Sequence, residues 1–323
     1  MILIIANARI KGGLSGGDNI YLHLAEHCGD HRIWEDMDTD FKPFFICYIW
    51  KIIKACWKAL IDNNKYEFVY SASDFWMDSL PAVILKLKGR KWVAGFYLFA
   101  PKEKRLYYWT QKPIIRLINK FADVVCVTNE SMFKFNKPMV AIHGGVDLSK
   151  AYPDDKVEKI YDAVFVGRLH YTKGIDELME IWGRVLRAKP NARLAIIGDG
   201  DTEVDKIRSW KAKGVQCFGF MGEERFDVYR KSKMVIYTTP HRYNHFSMGP
   251  VEAMACGCVM VAFDLDVMKT INPRGAELCR NSYYFSRTIV RGSMKSREAI
   301  EWARTWDWSV RAPKILKKIR GSL

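Results

Sequence analysis

At 323 residues the chain is long for a single core and suits two domains of about 150 residues each. Its 49% hydrophobic and 27% charged residues exclude a disordered or fibrous protein. A formal net charge of +15 calls for an anionic partner, whether nucleic acid, a membrane surface or a phosphorylated ligand.

Strand-like and helix-like segments alternate along the chain, the pattern of parallel sheets covered by helices on both faces. Strands are expected over 2–6, 32–34, 68–71, 92–95, 124–128 and 139–142, giving a six-stranded doubly wound sheet. A glycine-rich loop (Gly12, Gly13, Gly16, Gly17) leads into a helix over 18–27, and further helices fit 44–61, 81–88 and 113–121. The polar, glycine-containing segment 143–159 forms a boundary, after which the pattern restarts. Strands then fit 162–166, 194–197, 215–218, 235–237 and 259–262, with helices over 174–188, 203–213, 224–231 and 251–256. The tail, 296–319, is helical with a break within 306–313. Domains are thus expected at 1–150 and 151–305, with a terminal helix over 306–323.

The N-terminal segment lacks the basic region and cleavage site of a secretory signal, and lysines interrupt the longest apolar stretch, 44–61. The expected location is cytoplasmic, with membrane association. The eight cysteines lie mostly inside apolar patterns and read as buried free thiols; Cys256 and Cys258 have poor metal spacing. Asp264 and Asp266 mimic a metal-binding D-x-D, but Asp264, directly after a strand, reads as a turn residue. The GDGD run at 198–201 reads as a turn with Asp201 or Thr202 capping. Asn129 to Ser131 fits a glycosylation sequon, which carries nothing without a secretory signal.

Two constellations carry chemistry. In VFVGRLHYTKGIDELMEIW, Gly167 and Arg168 follow a strand and Lys173 opens a helix. A guanidinium fork and a compact ammonium placed this way can neutralise a diphosphate. In MVIYTTPHRYNHFSMGPVEAMACGCVMVAF, a strand, a polar loop and a helix N-terminus follow one another, the layout that binds phosphate through free N–H groups and the helix dipole. Ser247 can cap that helix, Pro250 suits its first position, and Glu252 offers a carboxylate to sugar hydroxyls.

GRLHYTKGIDELMEIW, PNARLAIIGDGD, FGFMGEE and PVEAMACGCVMVA occur in the order and spacing of family 4 glycosyltransferases. HGGVDLSKAYP resembles that family's interdomain segment, Gly16-Gly17 its N-terminal glycine loop, and TWDWSVRAPKILKKI its terminal helix. The resemblance covers nearly the whole chain, strongly over 161–262. It implies a GT-B fold with two Rossmann-like domains facing a cleft and a C-terminal helix crossing back to the first. It also implies retaining sugar transfer from a nucleotide sugar with UDP, GDP or ADP as carrier, without metal or other cofactor. By the same resemblance Arg168 and Lys173 hold the diphosphate and Glu252 the ribose. Backbone groups of Ser247, Met248 and Gly249 help bind phosphate, Gly16, Gly17 and Gly167 allow close approach, and Phe218 to Met221 border the base.

Two departures stand out. Asn244 replaces the first Glu of the family's E-x7-E motif, and loss of one charged hydrogen bond costs about 1.5–3 kcal/mol, roughly 10- to 100-fold in rate. His241 or His245 could take over that contact. Phe96 or Tyr97 stands where the family often has a His beside the sugar, and the Tyr97 hydroxyl could act there or be packed core. The alternative reading is a degenerate member that binds a nucleotide sugar without efficient transfer; a GT-B epimerase lacks placeable acid/base carboxylates. Segments 44–61 and 86–120 interleave basic residues with Trp and Tyr. They suit an anionic membrane and a glycan or glycolipid acceptor better than nucleic acid, for which no recognition motif is present.

Overall fold

The computed structural model describes residues 1–9, 16–39, 42–100, 105–128, 130, 133–200, 203–210, 212–241 and 246–323. Gly12, Gly13, Asn129, Ser131, Asp201, Thr202, Arg242, Asn244 and His245 lie outside the described residues. The chain forms two compact units, Met1–Gly144 with Trp308–Leu323, and Gly145–Asp307. These divisions stand beside the expected ones at 150 and 305.

The first unit holds strands β1 (Ile2–Ile5), β2 (His31–Trp34), β3 (Val69–Ser71), β4 (Trp92–Phe96), β5 (Val124–Val127) and β6 (Met139–Ala141). They form one parallel sheet in the order β2-β1-β3-β4-β5-β6. Helix α1 (Gly16–His27) follows β1; α2 (Phe44–Ile61), α3 (Trp76–Leu87) and α4 (Arg105–Phe121) follow β2, β3 and β4. One face of the sheet buries Ala59, Val83, Leu85, Ile114 and Ile118 from α2, α3 and α4. The other buries Tyr21 and Leu24 of α1 against residues of the C-terminal helix, including Trp308, Ile315 and Ile319.

The second unit repeats the rule with β7 (Tyr161–Val166), α5 (Ile175–Ala188), β8 (Leu194–Ile197), α6 (Val204–Ser209), β9 (Val215–Gly219), α7 (Arg225–Arg230), β10 (Ser232–Tyr237), α8 (Met248–Ala255) and β11 (Val259–Phe263). It continues through α9 (Asp266–Ile271), β12 (Ala276–Cys279), α10 (Ser282–Arg291) and α11 (Ser296–Arg304). Its parallel sheet runs β12-β11-β10-β7-β8-β9. The final helix, α12 (Trp308–Ser322), returns to the first unit, where the His23 ring stacks on Trp308 and Arg320 pairs with Glu67 at 2.7 Å. Two Rossmann-like parallel sheets and a returning terminal helix constitute the GT-B fold.

Two helices start earlier than their prolines suggest. Pro81 and Pro113 lie inside α3 and α4 instead of opening them. A proline at 81 cannot donate to the carbonyl of Met77, and the Asn7 side-chain amide donates to that oxygen at 3.0 Å. Segment 264–291, which shows no clear period in the sequence, contains α9, β12 and α10. The edge strand β12 is half exposed, and α10 is capped by the Asn281 side chain, which accepts from the N–H groups of Tyr283 and Tyr284.

Candidate functional site

In the second sheet the strand order reverses between β7 and β10, and in parallel sheets the crevice at the carboxyl end of such a reversal is where ligands bind. The turns leaving those two strands carry Arg168, Lys173 and the start of α8. Lys173 ends a short 3-10 turn, Tyr171–Lys173, and Gly174 follows in the left-handed region at φ 74°. A Cβ at Gly174 would collide with the Thr238 carbonyl oxygen, so only glycine lets the turn seat against the loop after β10. The Thr238 hydroxyl donates to the Lys173 carbonyl at 3.0 Å and closes that seat.

The Lys173 ammonium donates to the Ser247 hydroxyl at 2.6 Å. Ser247 occupies the N-cap position of α8 with extended backbone, but its side chain makes no cap hydrogen bond; its oxygen is taken by Lys173 instead. Pro250 stands third in the helix, not first, within the turn where a missing N–H costs nothing. Gly249 lets α8 press onto the end of β7: a Cβ there would lie 2.9 Å from the Val166 Cγ1.

Electrostatics give this corner its character. Burial, and next the positive charge of Arg168, push the Lys173 ammonium down to about 8. An ammonium at a helix N-terminus also sits at the wrong end of the dipole. The Lys173 ammonium meets the start of α8 and feels the charge of Arg168, and an incoming anion would relieve both costs together. Arg168 itself is exposed.

Glu252, in the second turn of α8, accepts both arms of Arg225, Nε to Oε2 and Nη2 to Oε1 at 2.9 Å each. Burial opposes the Arg225 charge, but the hydrogen bonds and proximity of Glu252 outweigh it and raise the guanidinium. The remaining arm donates to the Gly222 carbonyl at 2.7 Å, so Arg225 ties the loop after β9 to Glu252. Sequence reasoning missed Arg225; its signal was a cation directly following the FGFMGEE motif. Phe218 and Met221 pack against the core, Phe218 edge-on to Tyr161, whereas Phe220 is the exposed ring of that loop. Met248 likewise packs on the core.

Gly16 opens α1 and Gly17 follows it. Tyr97, just past β4, lies in the first unit. Its hydroxyl bonds to that of Tyr70, and burial raises both phenols. That places the Tyr97 hydroxyl in a core pair. The carboxyl edge of the same sheet holds two buried carboxyls that sequence reasoning did not single out. Asp78 accepts from the Ser73 hydroxyl at 2.5 Å and the Ala8 N–H at 3.2 Å, and burial pushes it up to about 7 against those bonds. Burial also raises Asp74, while Gln111 and Tyr107 hold its oxygens and oppose the rise. Both carboxyls anchor loops at the β1–β3 reversal.

Among the described residues no group of three or more His, Cys, Asp or Glu side chains could hold a metal ion. Asp266 pairs with Lys269 at 2.9 Å, and Asp264 is exposed. His241 is exposed near the Phe263 ring.

Residues 161–286 match the family described as "Glycosyl transferases group 1". The D-inositol 3-phosphate glycosyltransferase of Segniliparus rotundus is 27% identical over 143 residues, covering 36% of this chain and 30% of that protein. The chain therefore spans under a third of this curated relative's length. Among solved structures, Anabaena HepE in complex with UDP and glucose superimposes with a TM-score of 0.68 at 13% identity, over 100% of this chain and 99% of that one. A trehalose-6-phosphate synthase, studied for glycosyltransfer with retention, gives 0.66 at 13% identity, over 99% of both chains.

Proposed function

We propose that the protein is a retaining, metal-independent glycosyltransferase of family 4, moving a sugar from a nucleoside-diphosphate sugar to an acceptor hydroxyl. The observation that carries this reading is the convergence of Arg168, the Lys173 ammonium and the α8 N-terminus at the carboxyl end of β7 and β10. A diphosphate leaving group gains negative charge as the glycosidic bond breaks, and fixed positive groups stabilise that charge most when it is fully developed. Lys173 and Arg168 thus act on the leaving group, and no protein nucleophile is required. Glu252, held in place by Arg225, presents its remaining lone pairs to ribose hydroxyls.

HepE was solved with UDP and glucose, which supports a UDP-sugar donor here. The synthase's glycosyltransfer with retention supports a retaining course. The acceptor is a glycan or glycolipid handled by the first unit, and a glycolipid acceptor puts the reaction at a membrane surface, which the basic aromatic segments 44–61 and 86–120 suit.

Transfer from a radiolabelled UDP-sugar panel to extracted glycolipid, followed by NMR of the product anomer, tests the proposal. A retained anomer made by the intact protein and lost in Lys173→Ala is expected. Transfer within about twofold of wild type in that variant would remove the proposed leaving-group role. The second reading, donor binding without efficient transfer, rests on Asn244 in place of the family's Glu and predicts nucleotide binding with no labelled product.

A further inference from the structure

Helix α2 has its polarity inverted. A surface helix normally turns an apolar stripe to the core and polar residues to water. Here the core side is narrow and small, with Cys47, Ala55 and Ala59 as the buried residues. The opposite side carries Ile46, Ile49, Ile53, Trp57 and Leu60 at spacings of three and four, each between 39% and 64% exposed. Phe44, Phe45, Trp50 and Ile61 widen this stripe, and they too are exposed. An 18-residue helix is about 27 Å long, so the apolar face runs along its whole length.

The face is rigidly presented. The Lys88 ammonium donates to the carbonyls of Leu60 at 2.7 Å and Asp62 at 2.5 Å, closing the C-terminal end of α2. Lys51 and Lys54 anchor its flank, donating to the Asp36 carbonyl and carboxylate. Lys58 lies 4.7 Å over the Trp34 ring.

Charge identifies the occupant. Across α2 and α4 the chain has seven Lys and Arg and no Asp or Glu. On α4, the Lys112 ammonium sits 4.1 Å over the exposed Trp109 ring. A second copy docked through α2 would bring the same cationic flanks together, a repulsive arrangement. No described helix is long and apolar enough to cross a membrane. An amphipathic helix with an apolar face, Trp at its margin and exposed cations on a neighbouring helix lies instead in a bilayer interface.

We infer that α2 is a membrane-docking helix, which inserts its Ile46–Ile49–Ile53–Trp57–Leu60 face into an anionic bilayer, drawn to the lipid phosphates by the exposed Lys112, Arg116 and Lys120 of α4 on the same face of the sheet. This deepens the membrane part of the reading above and requires none of its chemistry.

The test uses the intact protein with vesicles of phosphatidylglycerol and phosphatidylcholine, against phosphatidylcholine alone, read by flotation and tryptophan emission. Binding to the anionic vesicles with a blue shift is expected, weakening about tenfold or more from about 0.05 to about 0.5 M NaCl. The double variant Ile53→Asp/Trp57→Asp should bind about tenfold or more weakly, because charge replaces inserted apolar surface. Both positions are exposed, and an unchanged circular dichroism spectrum and melting curve confirm its fold. Failure of the wild type to float, or equal flotation of the double variant, overturns the inference. So does a dimer by sedimentation that the double variant abolishes, with no vesicle binding. Thermal shifts with nucleoside diphosphates, run on the same samples, report the sugar-transfer reading separately. Membrane binding without nucleotide binding would leave this inference standing and defeat that reading.

Discussion

Lys173 joins three levels of the structure at one atom. Its turn is fixed by Gly174 against Thr238, its ammonium meets Ser247 at the start of α8, and burial with Arg168 holds it near 8. Folded and unfolded chains both carry the charge below about pH 8, and from there to the ordinary 10.5 only the unfolded chain keeps the proton. Titration of this group therefore makes the ligand-free protein more stable as pH rises across that window. A bound diphosphate has the opposite preference. Nucleoside diphosphate affinity should fall as pH rises through about 8, by up to about tenfold per unit, and the fall should vanish in Lys173→Arg. Calorimetric titration over pH 7 to 9.5 would read it, and an identical slope in the two proteins would clear Lys173 of the role. Tyr97 leads to a different expectation. Its hydroxyl is committed to Tyr70, so Tyr97→Phe should leave turnover within about twofold while lowering stability by about 1–3 kcal/mol, read by urea denaturation. The sequence singled out Arg168 and Lys173 because each sits next to a strand end or helix start, and Glu252 through the family resemblance. It could not carry the Tyr70–Tyr97 and Arg225–Glu252 partnerships, since residues 27 apart meet only once the chain is folded.

At the scale of elements, helix α8 is the piece on which the site depends. It is short and sits on the end of β7 through Gly249, and its first turn faces Lys173. Gly174→Ala tests how tightly this seat is made. The new Cβ meets the Thr238 carbonyl in a left-handed backbone, so stability should drop by about 2 kcal/mol or more, with loss of nucleotide binding. A loss under about 0.5 kcal/mol by chemical denaturation would mean that the loop yields. Buried, apolar strands such as β7, β8 and β11 were legible from their β-branched runs, and α2 matched its apolar segment end to end. Proline misled at α3 and α4, where it reads as a helix opening but tertiary contacts carry the helix through it. The half-exposed β12 and the short α9 escaped because each buries too few side chains to impose a period.

The whole molecule is two parallel sheets, with the chain crossing from the first unit to the second and back. The return matters for the first unit, because α12 supplies Trp308, Ala312, Ile315, Leu316 and Ile319 to its core. Truncating a side chain such as Trp308, Ile315, Leu316 or Ile319 to Ala costs about 2–5 kcal/mol, and together they match the whole stability of an ordinary domain. Truncation after Asp307 should abolish cooperative folding of the first unit while the second still melts as one. Calorimetry of the truncated chain would show one transition lost, and two intact transitions would contradict the packing. The alternation of strands and helices was legible in the sequence because it follows from periodicity and segment order, whereas the returning helix was implied by the resemblance to family 4 glycosyltransferases. The inverted face of α2 was legible only in part, since a helix apolar all round looks the same whichever side the core takes.

The central claim is that the second unit binds a nucleoside diphosphate through Lys173 and the α8 N-terminus. Calorimetric titration of the intact protein with UDP, GDP and ADP at pH 7, beside Lys173→Ala, tests it most directly. One of the three should bind the wild type, and the variant should bind it about 100-fold more weakly. Binding of none of them, or equal affinity in the variant, would contradict it.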